Sequence, residues 1–259
     1  IHHKERNKKK LVKILKIFGI KIIYDTVDPI ELFNAAHCED EEKNRQIQKL
    51  MKKVYEKCNL IFTVTPEIKT KIESYGIDQK KVFAFRWGTD VSVFRPENVN
   101  RNFRKEIGIS DNTFLVGWLG SMNPFKGLQE IIVPLIEICH RKFSDVHFVL
   151  AGYGILEEDL KRWAHDNPEL PVTILGRIPY RNAPSFTGCL DAYLIPTNPE
   201  SEFARFICPV KCFDGLALGV DVLTTGTEAT LFLEKQTKKV HLCDFEVESF
   251  LIKLQSLIN

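Results

Sequence analysis

Residues 114–127 read FLVGWLGSMNPFKG, an apolar run of six residues that leads into a loop with two glycines and a lysine. A continuous apolar run of this length, bounded by a glycine turn, is typical of a strand buried on both faces of a sheet. Residues 127–143 then have the spacing of an amphipathic helix, with Leu128, Ile131 and Ile132 among the residues on one face. Strand, loop and helix in this order predict one unit of a parallel α/β sheet.

The same alternation of strand and helix continues on both sides of this stretch. Apolar runs rich in β-forming residues occur at residues 21–24, 60–64, 82–85, 114–119, 147–151, 172–175, 191–195 and 221–225. Strands that alternate with helices predict a parallel sheet with helices on both faces. The predicted fold class is therefore α/β.

A polar segment divides the series of strands. Residues 95–102, RPENVNRN, contain a proline and predict a linker. We therefore expect two domains, residues 1–97 and residues 98–259, of which the second has enough strands for a complete doubly wound sheet. The first has only three visible strands, fewer than a Rossmann-like unit of usual size.

The bulk composition is that of a folded protein. The chain has 259 residues, of which 44% are hydrophobic and 27% charged, and it has no long apolar run. Its 36 basic and 34 acidic side chains are too balanced for a nucleic-acid-binding surface, so no nucleic-acid partner is predicted. The seven cysteines are scattered without zinc-site spacing, which predicts reduced thiols, a cytoplasmic location, and neither a metal nor another cofactor.

The basic segment at the start of the chain has two interpretations. Residues 4–16 carry many lysines beside apolar residues such as Leu11 and Ile14, a pattern that suits an amphipathic helix on a membrane surface. The alternative is an ordinary helix before the first strand, with its lysines in solvent. The helix-then-strand order of the fold favours the second interpretation, and a peripheral membrane contact stays open. Because the sequence starts without a methionine or an apolar signal segment, we expect a piece of a longer protein.

The loops that follow the predicted strands are the expected place for chemistry, because open parallel sheets bind ligands at the carboxyl ends of their strands. In the loop at residues 120–127, two glycines allow close approach of a ligand, and Lys126 places an ammonium at a helix start. This combination suits a phosphate. A glycine turn with a solvated lysine is the alternative interpretation of the same residues.

A second candidate site lies in residues 209–219, PVKCFDGLALG, which predict a helix. Lys211 and Asp214 are three residues apart and share one face near its start. The lysine could meet a pyrophosphate, and the carboxylate could accept hydrogen bonds from the paired hydroxyls of a ribose. The alternative is a surface ion pair with a small effect on stability.

These motifs, taken together and in order, resemble glycosyltransferase family 4, a large family with the GT-B fold that moves a sugar from a nucleotide donor to an acceptor. The matching stretches are VGWLG at 116–120 with the following Lys126-Gly127, VLAGYG at 149–154, LGRIP at 175–179, DAYLIP at 191–196, and 209–219. Residues 86–96, RWGTDVSVFRP, also resemble the segment that joins the family's two domains. The resemblance implies two Rossmann-like domains, the first one incomplete here.

The resemblance also implies an activity, namely glycosyl transfer from a UDP-, GDP- or ADP-linked donor, with retention of configuration and without a metal. Lys126 and Lys211 would hold the phosphates and act as the catalytic residues, Asp214 would hold the ribose, and the backbone near Arg177 and Ile178 would hold the base. Further substrate-binding candidates are Gly120, Ser121 and Gly152 in the glycine turns, and Glu202 and Arg205 in the loop before residue 209.

The chain departs from the family pattern at four positions. Ser121 stands where an arginine is common, and Asp214 replaces a glutamate. Phe206 stands where a partner carboxylate is expected, so Glu200 or Glu202 would have to substitute for it. Val27 precedes Asp28 where many members have a histidine.

These departures motivate two alternative functions. One is a binding module that keeps the nucleotide-sugar fold without catalysis. The other is a different GT-B enzyme, such as a nucleotide-sugar epimerase, which would need histidine and carboxylate acid/base residues in the cleft.

Overall fold

The structure, a computed structural model, describes residues 2–27, 31, 40–199, 206 and 208–259. The candidates Asp28, Glu200, Glu202 and Arg205 lie outside the described residues. The chain forms two compact units. The first unit contains the described residues up to Trp87, together with Phe206, Cys208 and residues 227–229, and the second unit contains the rest.

The first unit has a parallel sheet of three strands in the order β1-β2-β3. Its strands are β1 (Ile23–Thr26), β2 (Leu60–Thr63) and β3 (Val82–Ala84), and its helices are α1 (His2–Ile17), α2 (Glu41–Tyr55) and α3 (Pro66–Ser74). The sequence favours these helix starts, because Asp40 accepts a hydrogen bond from the N–H of Lys43 and Thr65 from that of Ile68. Apolar side chains of α2 and α3 cover the sheet.

The basic segment at the start of the chain forms helix α1, which precedes β1 as the fold requires. Val12 is buried in the core of the first unit, whereas Leu11, Ile14, Ile17 and Phe18 are exposed. Among the described residues, no helix combines the length and the apolar character that crossing a membrane requires.

The second unit has a parallel sheet of six strands in the order β6-β5-β4-β7-β8-β9. The strands are β4 (Phe114–Ser121), β5 (Val146–Tyr153), β6 (Val172–Gly176), β7 (Ala192–Ile195), β8 (Asp221–Thr225) and β9 (Val240–Cys243). The chain order reverses direction between β4 and β7, and the carboxyl ends of strands at such a reversal are where doubly wound sheets bind ligands.

Helices cover both faces of this sheet, so that one hydrophobic core lies on each side. Their bounds are α4 (Phe103–Glu106), α5 (Val133–Lys142), α6 (Glu157–Asp166), α7 (Ala183–Gly188), α8 (Val210–Ala217), α9 (Glu228–Glu234) and α10 (Val247–Ile258). Short 3₁₀ turns occur at Gln79–Lys81, Pro96–Asn98, Pro124–Lys126 and Tyr180–Asn182. The predicted parallel α/β fold is confirmed.

The structure corrects the sequence interpretation of residues 127–143. They do not form one continuous α-helix, because a π-helical turn at Leu128–Ile132 precedes α5. In this turn the N–H of Ile132 donates to the carbonyl of Gly127 over 3.1 Å. Pro134 has no N–H to donate to the preceding turn, which is the physical reason for the change in winding.

Candidate functional site

A cleft of about 460 Å³ opens in the second unit at the carboxyl ends of β4, β5 and β6. Helix α8 and the turn after β6 complete its walls. Its lining residues are Phe94, Leu119, Gly120, Ser121, Gly152, Tyr153, Arg177, Ile178, Tyr180, Ala183, Lys211 and Asp214. The structure therefore brings together seven of the residues that the sequence proposes: Gly120, Ser121, Gly152, Arg177, Ile178, Lys211 and Asp214.

The part of the cleft at the ends of β4 and β5 consists of closely packed backbone. Gly120 of β4 pairs with Gly152 of β5 in the register of the sheet. Gly152 has φ +146°, and a Cβ at this position would lie 1.8 Å from the carbonyl oxygen of Gly120. Only glycine fits there, so the two strands pack closely where they reach the cleft.

Two cationic side chains line the cleft. Lys211 lies half-buried in the first turn of α8, and burial lowers the pKa of its ammonium although Asp214 opposes the shift. The guanidinium carbon of Arg177 lies 4.9 Å from the centroid of the Tyr153 ring, a cation–π arrangement. In the described part of the chain, neither Lys211 nor Arg177 pairs with a carboxylate, so both can meet an anionic ligand.

The carboxylate of the cleft belongs to Asp214, one turn further along α8. Its Oδ1 accepts a hydrogen bond from the hydroxyl of Thr89 over 2.5 Å. Burial raises the pKa of Asp214, while the hydrogen bond from Thr89 and the charge of Lys211 act in the opposite direction. Asp214 and Lys211 are each half-buried, and their opposite charges interact.

Aromatic side chains form the remaining wall. Phe94 and Tyr180 pack edge to face with their ring centroids 6.0 Å apart. Tyr153 and Tyr180 are 55% and 65% exposed, so each presents ring surface to the opening of the cleft. Sequence reasoning did not select Thr89, Phe94, Tyr153 or Tyr180, although Thr89 and Phe94 lie in residues 86–96, which carry part of the family resemblance.

Lys126 lies apart from these residues. It ends the 3₁₀ turn Pro124–Lys126 and is half-buried, and Gly127 follows it with the left-handed φ of +67°. It is not among the residues that line the cleft. Its assignment to a phosphate rests on the family resemblance and stays a prediction.

The described residues offer no group of three or more His, Cys, Asp or Glu side chains with the spacing of a metal site. The six described cysteines are free thiols, of which four are buried and two are half-buried. Burial raises the pKa of Cys139 and of Cys243 to about 12. These thiols therefore stay protonated at neutral pH.

Comparison with known proteins shows the family to which the chain belongs. The family model described as glycosyl transferases group 1 matches residues 113–259, more than half of the chain. The chain belongs to this family. No curated protein sequence matches the chain significantly.

Solved structures of similar fold cover most of the chain. HepE from Anabaena, in complex with UDP and glucose, is similar to this chain with 17% sequence identity and a TM-score of 0.73. The match covers 98% of this chain and 66% of the HepE chain. WaaG, a glycosyltransferase involved in lipopolysaccharide biosynthesis, has 13% identity and a TM-score of 0.72, with 92% and 66% covered. Sucrose-phosphate synthase from Thermosynechococcus elongatus has 12% identity and a TM-score of 0.70, with 92% and 59% covered. The chain spans about two thirds of the length of HepE and WaaG, and the predicted GT-B fold is confirmed.

Proposed function

We propose that the second unit binds the nucleoside diphosphate part of a nucleotide sugar, and that the protein transfers the sugar to an acceptor. The observation that carries the proposal is the meeting of Lys211, Arg177 and Asp214 in one cleft at the carboxyl ends of parallel strands. Two cations suit a diphosphate, and one carboxylate suits the vicinal hydroxyls of a ribose. Family membership and the nucleotide found in HepE support the same class of ligand.

The parts of such a donor have distinct partners in the cleft. The diphosphate would lie at the N-terminal end of α8, where Lys211 adds a charge to the positive end of the helix dipole. Gly120, Ser121 and Gly152 would add backbone N–H groups, and Lys126 would approach from the loop after β4. The base would lie toward the backbone of Arg177 and Ile178, beside the exposed ring of Tyr153.

We further propose that catalysis comes mainly from electrostatic stabilisation of the leaving diphosphate. Negative charge develops on the diphosphate oxygens as the bond from the anomeric carbon to the diphosphate breaks and the bond from that carbon to the acceptor oxygen, which gives up its proton, forms. Cations held in advance by the fold lower the energy of that state. In this proposal Lys211 and Lys126 take the role that a metal has in other transferases. The family resemblance supports transfer with retention of configuration.

The test of the proposal is a ligand screen on the full chain. UDP-, GDP- and ADP-sugars are added at a concentration of about 100 times an expected Kd, where a ligand specific to the folded state stabilises by about 2.7 kcal/mol. We expect one nucleotide series to raise the melting temperature, with the same result in EDTA. Absence of a shift with all three series contradicts the proposal, and loss of the shift in EDTA contradicts its metal-independent part.

One observation favours a second candidate, a binding module without catalysis. Phe206, which stands where the family has a carboxylate, packs against the core of the first unit. Release of nucleoside diphosphate from the bound donor, measured with a coupled assay, distinguishes the two functions. The epimerase alternative finds less support, because among the described lining residues Asp214 is the only carboxylate and none is a histidine.

We also infer a cytoplasmic location, supported by the six free thiols among the described cysteines.

A further inference from the structure

The carboxylate of Asp214 in the cleft accepts a hydrogen bond from the side chain of Thr89. The two residues are 125 positions apart, and both belong to the second unit. The Thr89 hydroxyl donates to Asp214 Oδ1 over 2.5 Å, but Thr89 is not itself among the residues that line the cleft. A short hydrogen bond to an ionised carboxylate is of the strong, charge-assisted kind.

This contact uses only one of the two oxygens of the Asp214 carboxylate. An ionised carboxylate has two oxygens with about four acceptor positions. Among the described residues, Thr89 is the only side chain that donates to Asp214. Asp214 lines the cleft, and no described side chain donates to its second oxygen, Oδ2.

We infer that Thr89 is a positioning residue, whose hydroxyl fixes the orientation of the Asp214 carboxylate so that Oδ2 meets the vicinal diol of a ribose. The inference rests on the proposed function and deepens it. An aspartate held by one oxygen presents the other in a fixed direction, which lowers the entropy lost when a diol binds. The contact therefore favours ribonucleotides over ligands that lack one of the two hydroxyls.

The charges around Asp214 affect its pKa, so ligand binding through this carboxylate should depend on pH. Burial raises the pKa of Asp214, while the hydrogen bond from Thr89 and the charge of Lys211 on the same helix act against that shift. Tyr180 and Tyr193 also face Asp214, and both have raised pKa values, so they stay neutral near pH 7. Asp90 acts on Tyr180 as well, and its own pKa is lowered by hydrogen bonds from Ser92. Removal of the Thr89 hydroxyl takes away a contact with the charged form and must raise the pKa of Asp214.

The experiment compares Thr89→Val, which keeps the shape of the side chain, with Thr89→Ser, which keeps the hydroxyl. Isothermal titration of each full chain uses whichever of UDP, GDP and ADP binds the wild type most tightly, its 2′-deoxy form, and inorganic pyrophosphate. Both substitutions are repeated in an Asp214→Asn background. Circular dichroism and melting temperature verify that each variant is folded.

We expect Thr89→Val to weaken the ribonucleotide by about three- to tenfold, the effect of one lost hydrogen bond, and to leave pyrophosphate unchanged. The affinity for the 2′-deoxy form should fall by a smaller factor. Thr89→Ser, which keeps the hydroxyl, should bind the ribonucleotide within about twofold of the wild type. The pH at which ribonucleotide binding fails on acidification should move upward in Thr89→Val only. In the Asp214→Asn background Thr89→Val should have no further effect, since the two residues act as one unit.

Two results overturn the inference alone, provided that the wild type binds a nucleotide. One is Thr89→Val binding within about twofold of the wild type with the same pH dependence. The other is an equal loss for pyrophosphate and for the ribonucleotide, which indicates a structural role. If the wild type binds none of the three diphosphates, the proposed function fails and this inference fails with it.

Discussion

Replacement of Lys211 by methionine tests the cationic side of the cleft, because methionine keeps much of the volume and removes the charge. Lys211 is half-buried in the first turn of α8, and in the described part of the chain no carboxylate pairs with it. At 4 Å and an effective dielectric constant of 20, an ammonium and a phosphate oxygen attract by about 4 kcal/mol before desolvation is subtracted. The net value of a hydrogen bond to a charged group is about 1.5–3 kcal/mol, and we expect a loss in this range.

That free energy corresponds to about 10- to 150-fold weaker binding of a nucleoside diphosphate. The nucleoside without phosphates should bind Lys211→Met and the wild type alike. Isothermal titration of the full chain with UDP, GDP and ADP and with their nucleosides measures both quantities. Lys235→Met is the matched control, because Lys235 is an exposed lysine of the second unit that does not line the cleft.

The stability of Lys211→Met separates a binding role from a structural one. Burial lowers the pKa of Lys211 in the folded state, so the charged form costs folding free energy at neutral pH. That cost disappears as the pH rises through the lowered pKa toward the ordinary value of 10.5. The variant should therefore melt at the same temperature as the wild type or higher. Nucleoside diphosphate binding within about twofold of the wild type, or an equal loss for the nucleoside, would show that Lys211 does not bind the diphosphate.

Lys126→Ala should weaken a nucleoside diphosphate by about tenfold without an effect on the nucleoside, and equal titration curves for variant and wild type would show that Lys126 meets no phosphate. Gly152→Ala should lower the free energy of unfolding, measured by urea denaturation, by about 2–4 kcal/mol, because its Cβ would lie 1.8 Å from the oxygen of Gly120. The control Gly226→Ala should leave the free energy of unfolding almost unchanged, because a Cβ there meets no atom within 4 Å. Ribonucleotide binding should fall on acidification at a pH above the ordinary Asp214 pKa of 3.8, since burial raises that pKa, and pyrophosphate binding should not follow the same curve.

The sequence predicts the sheet of the second unit well, because its central strands are buried on both faces and are therefore mostly apolar. All four residues of β7 are buried, and the predicted run at 221–225 matches β8 in full. The edge strand β9 was not predicted. It has only four residues, VHLC, with a histidine inside and lysines before it, which resembles a loop in its composition.

Only part of the candidate site could be predicted from the sequence. Glycine turns, Lys211 and Asp214 could be selected because each follows a predicted strand or starts a predicted helix. The contact between Thr89 and Asp214 joins residues 125 positions apart, and such a contact has no local signal. The ring of Tyr153 faces Arg177 only because β5 and β6 end side by side, which periodicity cannot reveal.

Replacement of Asp214 by asparagine is the most direct test of the donor site, because it keeps the shape of the side chain and removes its charge. The full-length variant and the wild type are titrated with the tightest-binding of UDP, GDP and ADP and with inorganic pyrophosphate. We predict that the nucleoside diphosphate binds the variant about tenfold more weakly, since the ribose loses a charged acceptor. Pyrophosphate should bind as well as before or more tightly, since a nearby anion has been removed. Dissociation constants within about twofold of the wild type for both ligands, or a parallel loss for both, would contradict the assignment of this cleft to a nucleotide-sugar donor.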